Sequence, residues 1–217
     1  FEFKKVLQMP DFKIENSYDE LVAGVDEAGR GPLAGPVVAG AVVILDKNLP
    51  EDFLAHLDDS KKLTPARREK LFAQLFQLRQ EGKIDFGIGE ANVEEIDRLN
   101  ILQATFLAMN RAFSQLKVKV NRAIVDGNQH PKGFPVENDT VVKGDAKSYS
   151  IAAASILAKV YRDHYMADLA KKYPQYLFDK NAGYGTKAHL DALRQYGAVK
   201  GVHRESFNPV SEFLYAS

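Results

Sequence analysis

Two acids, Asp26 and Glu27, interrupt an apolar run at the end of a strand-like segment, and a glycine-rich loop carrying a single cation, Arg30, follows at once. A charge left unpaired at a buried strand end is costly, so acids in such a place normally have a cation for company. The pattern recurs at Ala123-Ile124-Val125-Asp126, before Gly127, and again at Asp145, just behind Thr140-Val141-Val142. In α/β sheets ligands gather beyond the carboxyl ends of strands, where acids far apart in the chain can converge. Crowded carboxylates repel and raise one another's pKa unless cations intervene. The chain has no cysteine, so ligation by oxygen favours Mg2+ or Mn2+ over zinc. Two such ions roughly 4 Å apart suit an in-line displacement at a phosphodiester. Side chains alternate along a strand, so Asp26 and Glu27 share a site only if the backbone turns at Glu27. Any one of these acids reads equally well as a separate turn or surface residue; three repeats of the pattern favour convergence.

The elements that must position these acids follow from patterning. After Gly29, Gly31 and Gly35 the chain continues as Val37, Val38, Ala41, Val42, Val43 and Ile44, a short β-branched run that reads as a second strand. A dinucleotide-binding turn would open a helix there, so that use of the glycines is disfavoured. Thr64-Pro65 reads as an N-cap and first helical residue of a helix that stops near Gly82. Residues 83–90 alternate as a half-buried strand. Ile96, Leu99, Leu102, Phe106, Met109, Phe113 and Leu116 repeat at three or four, which predicts one long amphipathic helix. A second long helix runs from behind Ser148 through Ile156 and Met166 and ends before Pro174; a last one is capped by Thr186 and closed by Gly197. The order implies a mixed five-stranded sheet flanked by helices, with a helical C-terminal segment over about 174–217. Residues 1–20 carry no clear periodicity and read as a lead-in to a single domain over 21–217.

Composition narrows the classes. At 217 residues, 45% hydrophobic and 27% charged, the chain is an ordinary globular one. The absence of cysteine excludes disulfides and thiolate chemistry and fits a reducing compartment, so a cytoplasmic site is expected. The apolar stretch over 33–45 is too short to span a bilayer, and no membrane association is expected. Phe1 rather than Met opens the chain, as in a trimmed protein. Net charge is zero, yet residues 141–204 hold 11 Lys and Arg against 5 Asp and Glu, and the remainder 18 against 24. A basic third beside an acidic remainder suits contact with a polyanion on one face.

Six motifs, in this order over about Val22 to Val210, resemble bacterial ribonuclease HII. They are Val-Asp-Glu-Ala-Gly-Arg-Gly-Pro-Leu-Ala-Gly-Pro, Asp-Ser-Lys-Lys-Leu, Val-Asp-Gly-Asn, Lys-Gly-Asp-Ala-Lys-Ser-Tyr-Ser, Gly-Tyr-Gly-Thr and His-Arg-Glu-Ser-Phe. Arg30, where the related ribonuclease HIII has lysine, points to the HII branch. The resemblance implies an RNase H-like fold and cleavage of the RNA strand in RNA–DNA hybrids, including at single ribonucleotides embedded in duplex DNA. It implies Asp26, Glu27, Asp126 and Asp145 as acids that hold two Mg2+ or Mn2+ ions, with products ending in 5′-phosphate and 3′-hydroxyl. By the same resemblance Gly29, Arg30 and Gly31 read the 2′-hydroxyl, and Tyr184 stacks on the sugar beyond an RNA-to-DNA junction. Lys61, Lys143, Ser148 and Arg204 hold phosphates. A monomer is expected; a replication or repair partner is not readable.

Plainer readings stand beside these. Tyr184 by sequence alone reads equally as a turn aromatic, and His203 as a structural hydrogen-bonder. Lys159, Arg162 and Asp163 suggest an ion pair, worth little if exposed. The competing function is a hybrid-binding module without catalysis, which would need no set of acids.

Overall fold

The computed structural model describes residues 9–57, 60 and 63–214. Five strands, β1 (Val22–Ala28), β2 (Val37–Ile44), β3 (Ile84–Ala91), β4 (Arg122–Asp126) and β5 (Glu137–Val141), form one mixed sheet in the order β3-β2-β1-β4-β5. β2 is antiparallel to both its neighbours, while β1, β4 and β5 run parallel. Every residue of β2 is buried, as its unbroken apolar run requires of a strand covered on both faces. The strand at 37–44 removes the dinucleotide-binding reading of the glycines.

Seven helices complete the described chain: α1 (Glu51–His56), α2 (Pro65–Gln80), α3 (Val93–Leu99), α4 (Ile101–Ser114), α5 (Tyr149–Lys172), α6 (Phe178–Asn181) and α7 (Lys187–Tyr196). α4 covers one face, packing Phe106, Met109 and Phe113 on Ala23, Val25 and Val43. α5 covers the other, where Ala153, Ile156 and Leu157 meet Val42, Phe86 and the Leu71, Leu75 and Leu78 stripe of α2. Burial of each of the larger of these side chains, the Val, Leu, Ile, Phe and Met, contributes about 1.5–3 kcal/mol. α5 lies close on the sheet because Gly40 leaves room for the Ala154 carbonyl, which a Cβ would strike. A third cluster joins Leu33 and Ala34 to Met166, Tyr176, Phe178, Leu193 and Val210, so the C-terminal segment packs on the glycine loop. Among the described residues no helix is long and apolar enough to cross a membrane.

Three expectations are corrected. The single long helix over 96–116 is two helices, α3 and α4, because Asn100 takes φ 69° and accepts the Leu102 and Gln103 amides as the N-cap of α4. Asn92 and Glu95 form a capping box that starts α3. β1 does not turn at Glu27; it pairs with β2 through Ala28, and the bend comes at Gly29, φ +93°. Residues 9–20 are not a loose lead-in either. Glu15 is buried and one carboxylate oxygen accepts Ser148 Oγ, Ser150 Oγ and the Ser150 amide at 2.6–3.0 Å, while Phe12 packs edge-on to Tyr149.

Candidate active site

The sheet brings the first acids together by register. Val25 of β1 lies opposite Val125 of β4 in parallel pairing, so Asp26 and Asp126 follow side by side on strands about 4.8 Å apart. The Asp126 carboxylate accepts the Gly144 amide at 2.6 Å. That bond draws a short 3-10 turn, Gly144–Ala146, onto the end of β4, and the turn carries the buried Asp145. Asp26 is 5% exposed; its Oδ1 accepts the Glu27 amide at 2.7 Å. Burial, then Glu27, then Asp126 push its carboxyl well above the ordinary carboxylate range, against the opposing pull of the Glu27 amide and the Ser155 hydroxyl. Ser155 in turn bonds Ser60 at 2.8 Å.

Among the described residues no three Asp, Glu or His side chains stand as a formed metal cage. Asp26 and Asp126 each give an oxygen to a backbone amide instead. The donor set nonetheless fits a hard divalent cation in its chemistry. It is all oxygen, it lies at strand ends, and its crowded negative charge adds to burial in lifting the Asp26 pKa. Arg30, whose side chain is half exposed, pairs with Glu27 at 3.3 Å.

Beside the acids, the glycine loop is held from below by two buried arginines. Arg204 donates to the carbonyls of Gly29, Arg30 and Gly35 at 2.5–3.0 Å, and Arg162 to those of Ala34, Pro36 and Ala182 at 2.9–3.0 Å. All six acceptors are carbonyls, so among the described residues neither guanidinium has a carboxylate hydrogen-bonded to it. Burial lowers the pKa of Arg162 to about 10 and that of Arg204 to about 9, the latter also through Arg162. Gly29 must be glycine, since a Cβ there would collide with Arg162. In a trans peptide the N–H opposes the C=O. With the Gly29 and Arg30 carbonyls turned inward on Arg204, the Arg30 and Gly31 amides therefore face the other way.

The loop borders a hollow of about 240 Å³ whose walls include Glu27, Arg30, Gly31, Ser155, Lys159 and Tyr184. Tyr184 is 48% exposed, and its ring lies against Gly31. Lys143, exposed at φ 57°, stands just before the Asp145 turn. Two expected phosphate contacts are corrected. Arg204 is fully buried beneath the loop, and Ser148 is fully buried as the N-cap of α5, bonding the Ile151 amide and Glu15. Lys61 lies outside the described residues. The basic surplus of the last third is also smaller at the surface than its count, because Arg162 and Arg204 are interior and Lys159, Lys171, Lys187 and Arg194 pair with nearby aspartates.

The ion pair expected among Lys159, Arg162 and Asp163 is that of Lys159 with Asp163, at 2.5 Å, while Arg162 bonds the loop carbonyls. The position of Arg162 was readable: Ser155, Lys159, Arg162 and Met166 fall on one helical stripe, the face α5 turns to the loop. His189, Glu15 and the structural place of Ser155 were missed. A buried polar residue has no periodic signal of its own.

Comparisons of sequence and of fold with known proteins agree with one another. A family model described as Ribonuclease HII matches residues 23–210. The ribonuclease HII of Paramagnetospirillum magneticum is 52% identical over 206 residues, 95% of this chain and 99% of that one. That of Rhodospirillum rubrum is 54% identical over 209 residues, 96% and 94% of the two chains. The crystal structure of the ribonuclease H2 from Pyrococcus horikoshii OT3 superposes with a TM-score of 0.73 at 31% identity, over 89% of this chain and 97% of that one.

Proposed function

Since this chain belongs to the ribonuclease HII family of metal-dependent endoribonucleases acting on RNA–DNA hybrids, we propose that it also cuts on the 5′ side of a single ribonucleotide embedded in duplex DNA. The products would end in 3′-hydroxyl and 5′-phosphate. One juxtaposition supports this most: acids at neighbouring strand ends beside a loop whose Gly29 and Arg30 carbonyls are turned inward.

Asp26, Glu27, Asp126 and Asp145 would hold two divalent ions, Mg2+ or Mn2+. When bound, such ions lower the pKa of a water and stabilise a departing oxygen. The chain's own groups do the positioning. The outward amides of Arg30 and Gly31 offer two donors to a ribose 2′-oxygen, the one local group that distinguishes RNA from DNA. Tyr184, beside Gly31, presents a ring face to the next sugar, and a deoxyribose there packs on it without burying a hydroxyl. Lys143 and Lys159 lie where they can meet backbone phosphates, contacts that set register. In this reading the protein acts as a cytoplasmic monomer.

The test is a duplex DNA with one ribonucleotide, incubated with Mg2+ or Mn2+ and its products mapped. Cleavage 5′ to the ribonucleotide with those end groups supports the reading. Tight binding with no cut in either metal would favour the non-catalytic module.

A further inference from the structure

His189 and His203 are both fully buried and meet Nε2 to Nε2 at 3.1 Å. Their outer nitrogens settle where the protons lie. The Val199 amide donates to His203 Nδ1 at 2.9 Å, so that nitrogen is an acceptor and carries no proton. Neutral His203 then bears its proton on Nε2 and donates it to His189 Nε2. His189 is left with its proton on Nδ1, which lies 2.9 Å from the Tyr184 carbonyl oxygen. Each ring nitrogen is used once, and direction runs one way, from the Val199 amide to the Tyr184 carbonyl. A second proton on either ring would set two N–H groups against each other. Tyr176 and Phe178 enclose the pair, with ring centroids 4.7 Å from His203 and 5.4 Å from His189 respectively.

The relay closes a ring of contacts between the two substrate-facing segments. Ala34 of the glycine loop bridges His203, through Gly35 N to Val202 O at 2.9 Å and Arg204 N to Leu33 O at 2.8 Å. Leu33 N donates to Gly183 O at 2.7 Å. The loop is thus tied to the His203 segment by backbone, and the His203 segment to the Tyr184 turn by the two imidazoles.

We propose that His203 and His189 form a directional hydrogen-bond relay that fixes the Tyr184 backbone, and with it the ring, against the Gly29-Arg30-Gly31 loop. Both histidines are positioning residues for telling an RNA-to-DNA junction from uniform hybrid. The inference rests on the junction-reading role given to Tyr184 above.

Two measurements test it. In long-range 1H–15N spectra of histidine-labelled protein at neutral pH, His203 shows the Nε2–H tautomer and His189 the Nδ1–H tautomer; an imidazolium, or the reverse tautomers, overturns the relay. Second, kcat/KM is compared on a single-ribonucleotide duplex and a uniform hybrid. His203→Leu, which removes acceptor and donor, lowers the junction-to-hybrid ratio about tenfold, and His203→Gln, which keeps both, recovers most of it. On a Tyr184→Ala background His203→Leu changes the ratio no further. If Tyr184→Ala lowers the ratio and folded His203→Leu does not, the positioning claim is wrong. If Tyr184→Ala itself leaves the ratio unchanged, the junction reading fails, and the relay stands or falls on the spectrum, as it does if His203→Leu does not fold.

Discussion

Two neighbouring regions at one edge of the sheet handle charge in opposite ways. At the ends of β1 and β4, carboxylates crowd together; burial and their repulsion raise the Asp26 pKa, and half-exposed Arg30 pairs with Glu27. A few residues on, two guanidinium groups are buried under the glycine loop and, among the described residues, bonded only to carbonyls. An ordinary core would pair these charges with each other, because an unpaired buried charge is destabilising. Here they are kept apart. In the function proposed above, the acids take a cation, and the loop, backed by positive charge, meets a phosphate chain. The separation teaches that the edge is arranged for partners of both signs rather than for stability alone.

Breaking the acidic side should have the largest effect. Asp126→Asn keeps an oxygen to accept the Gly144 amide, so the fold should survive, yet cleavage of hybrid should fall roughly a thousandfold. Activity within a fewfold of the unsubstituted protein would remove Asp126 from the site. On the cationic side, Arg204→Met strands three carbonyls and should lower unfolding free energy by roughly 3 kcal/mol or more, read from urea midpoints. Arg204→Lys, a point charge in place of a fork, should recover only part of it.

Acid should act next, through the histidines behind the loop. Burial, then His189, lowers the His203 pKa from 6.5 to about 4. The unfolded chain therefore binds the proton more readily, and stability from this group is full above pH 6.5 and lost as pH falls towards about 4. The loss amounts to about 3 kcal/mol, and it should disappear from the pH dependence of the unfolding midpoint in His203→Gln. An unchanged slope would mean that His203 is not held neutral. The smallest effect sharpens the loop's side of the contrast. Tyr184→Ala should reduce cleavage at a single ribonucleotide about tenfold more than cleavage of long hybrid, and equal losses would refute its junction role.

How legible this was in sequence divides along the same line. The acids are local signals: each ends an apolar strand, and parallel pairing then does the rest, so the sheet and the convergence of Asp26 with Asp126 could be read. The glycine loop was equally plain, although the bend falls at Gly29 rather than Glu27. The clamp beneath it was not. Arg204 was expected at a phosphate through the resemblance, and only the tertiary fold shows three carbonyls waiting for it. The His189–His203 meeting joins a helix to an irregular segment, and no periodicity announces such a contact. Asn100 escaped because apolar spacing runs through it undisturbed, and only its N-cap role ends one helix and starts another. Glu15 sits in a segment without pattern, yet anchors the start of α5.

The central claim is that the acids at the ends of β1 and β4 are where a divalent cation is held. Mn2+ titrated into 15N-labelled protein tests it without needing turnover. The account predicts paramagnetic broadening centred on residues 26–27, 126–127 and 144–145, and its loss there in Asp126→Asn. Broadening that spares those amides, or survives the substitution unchanged, would contradict it.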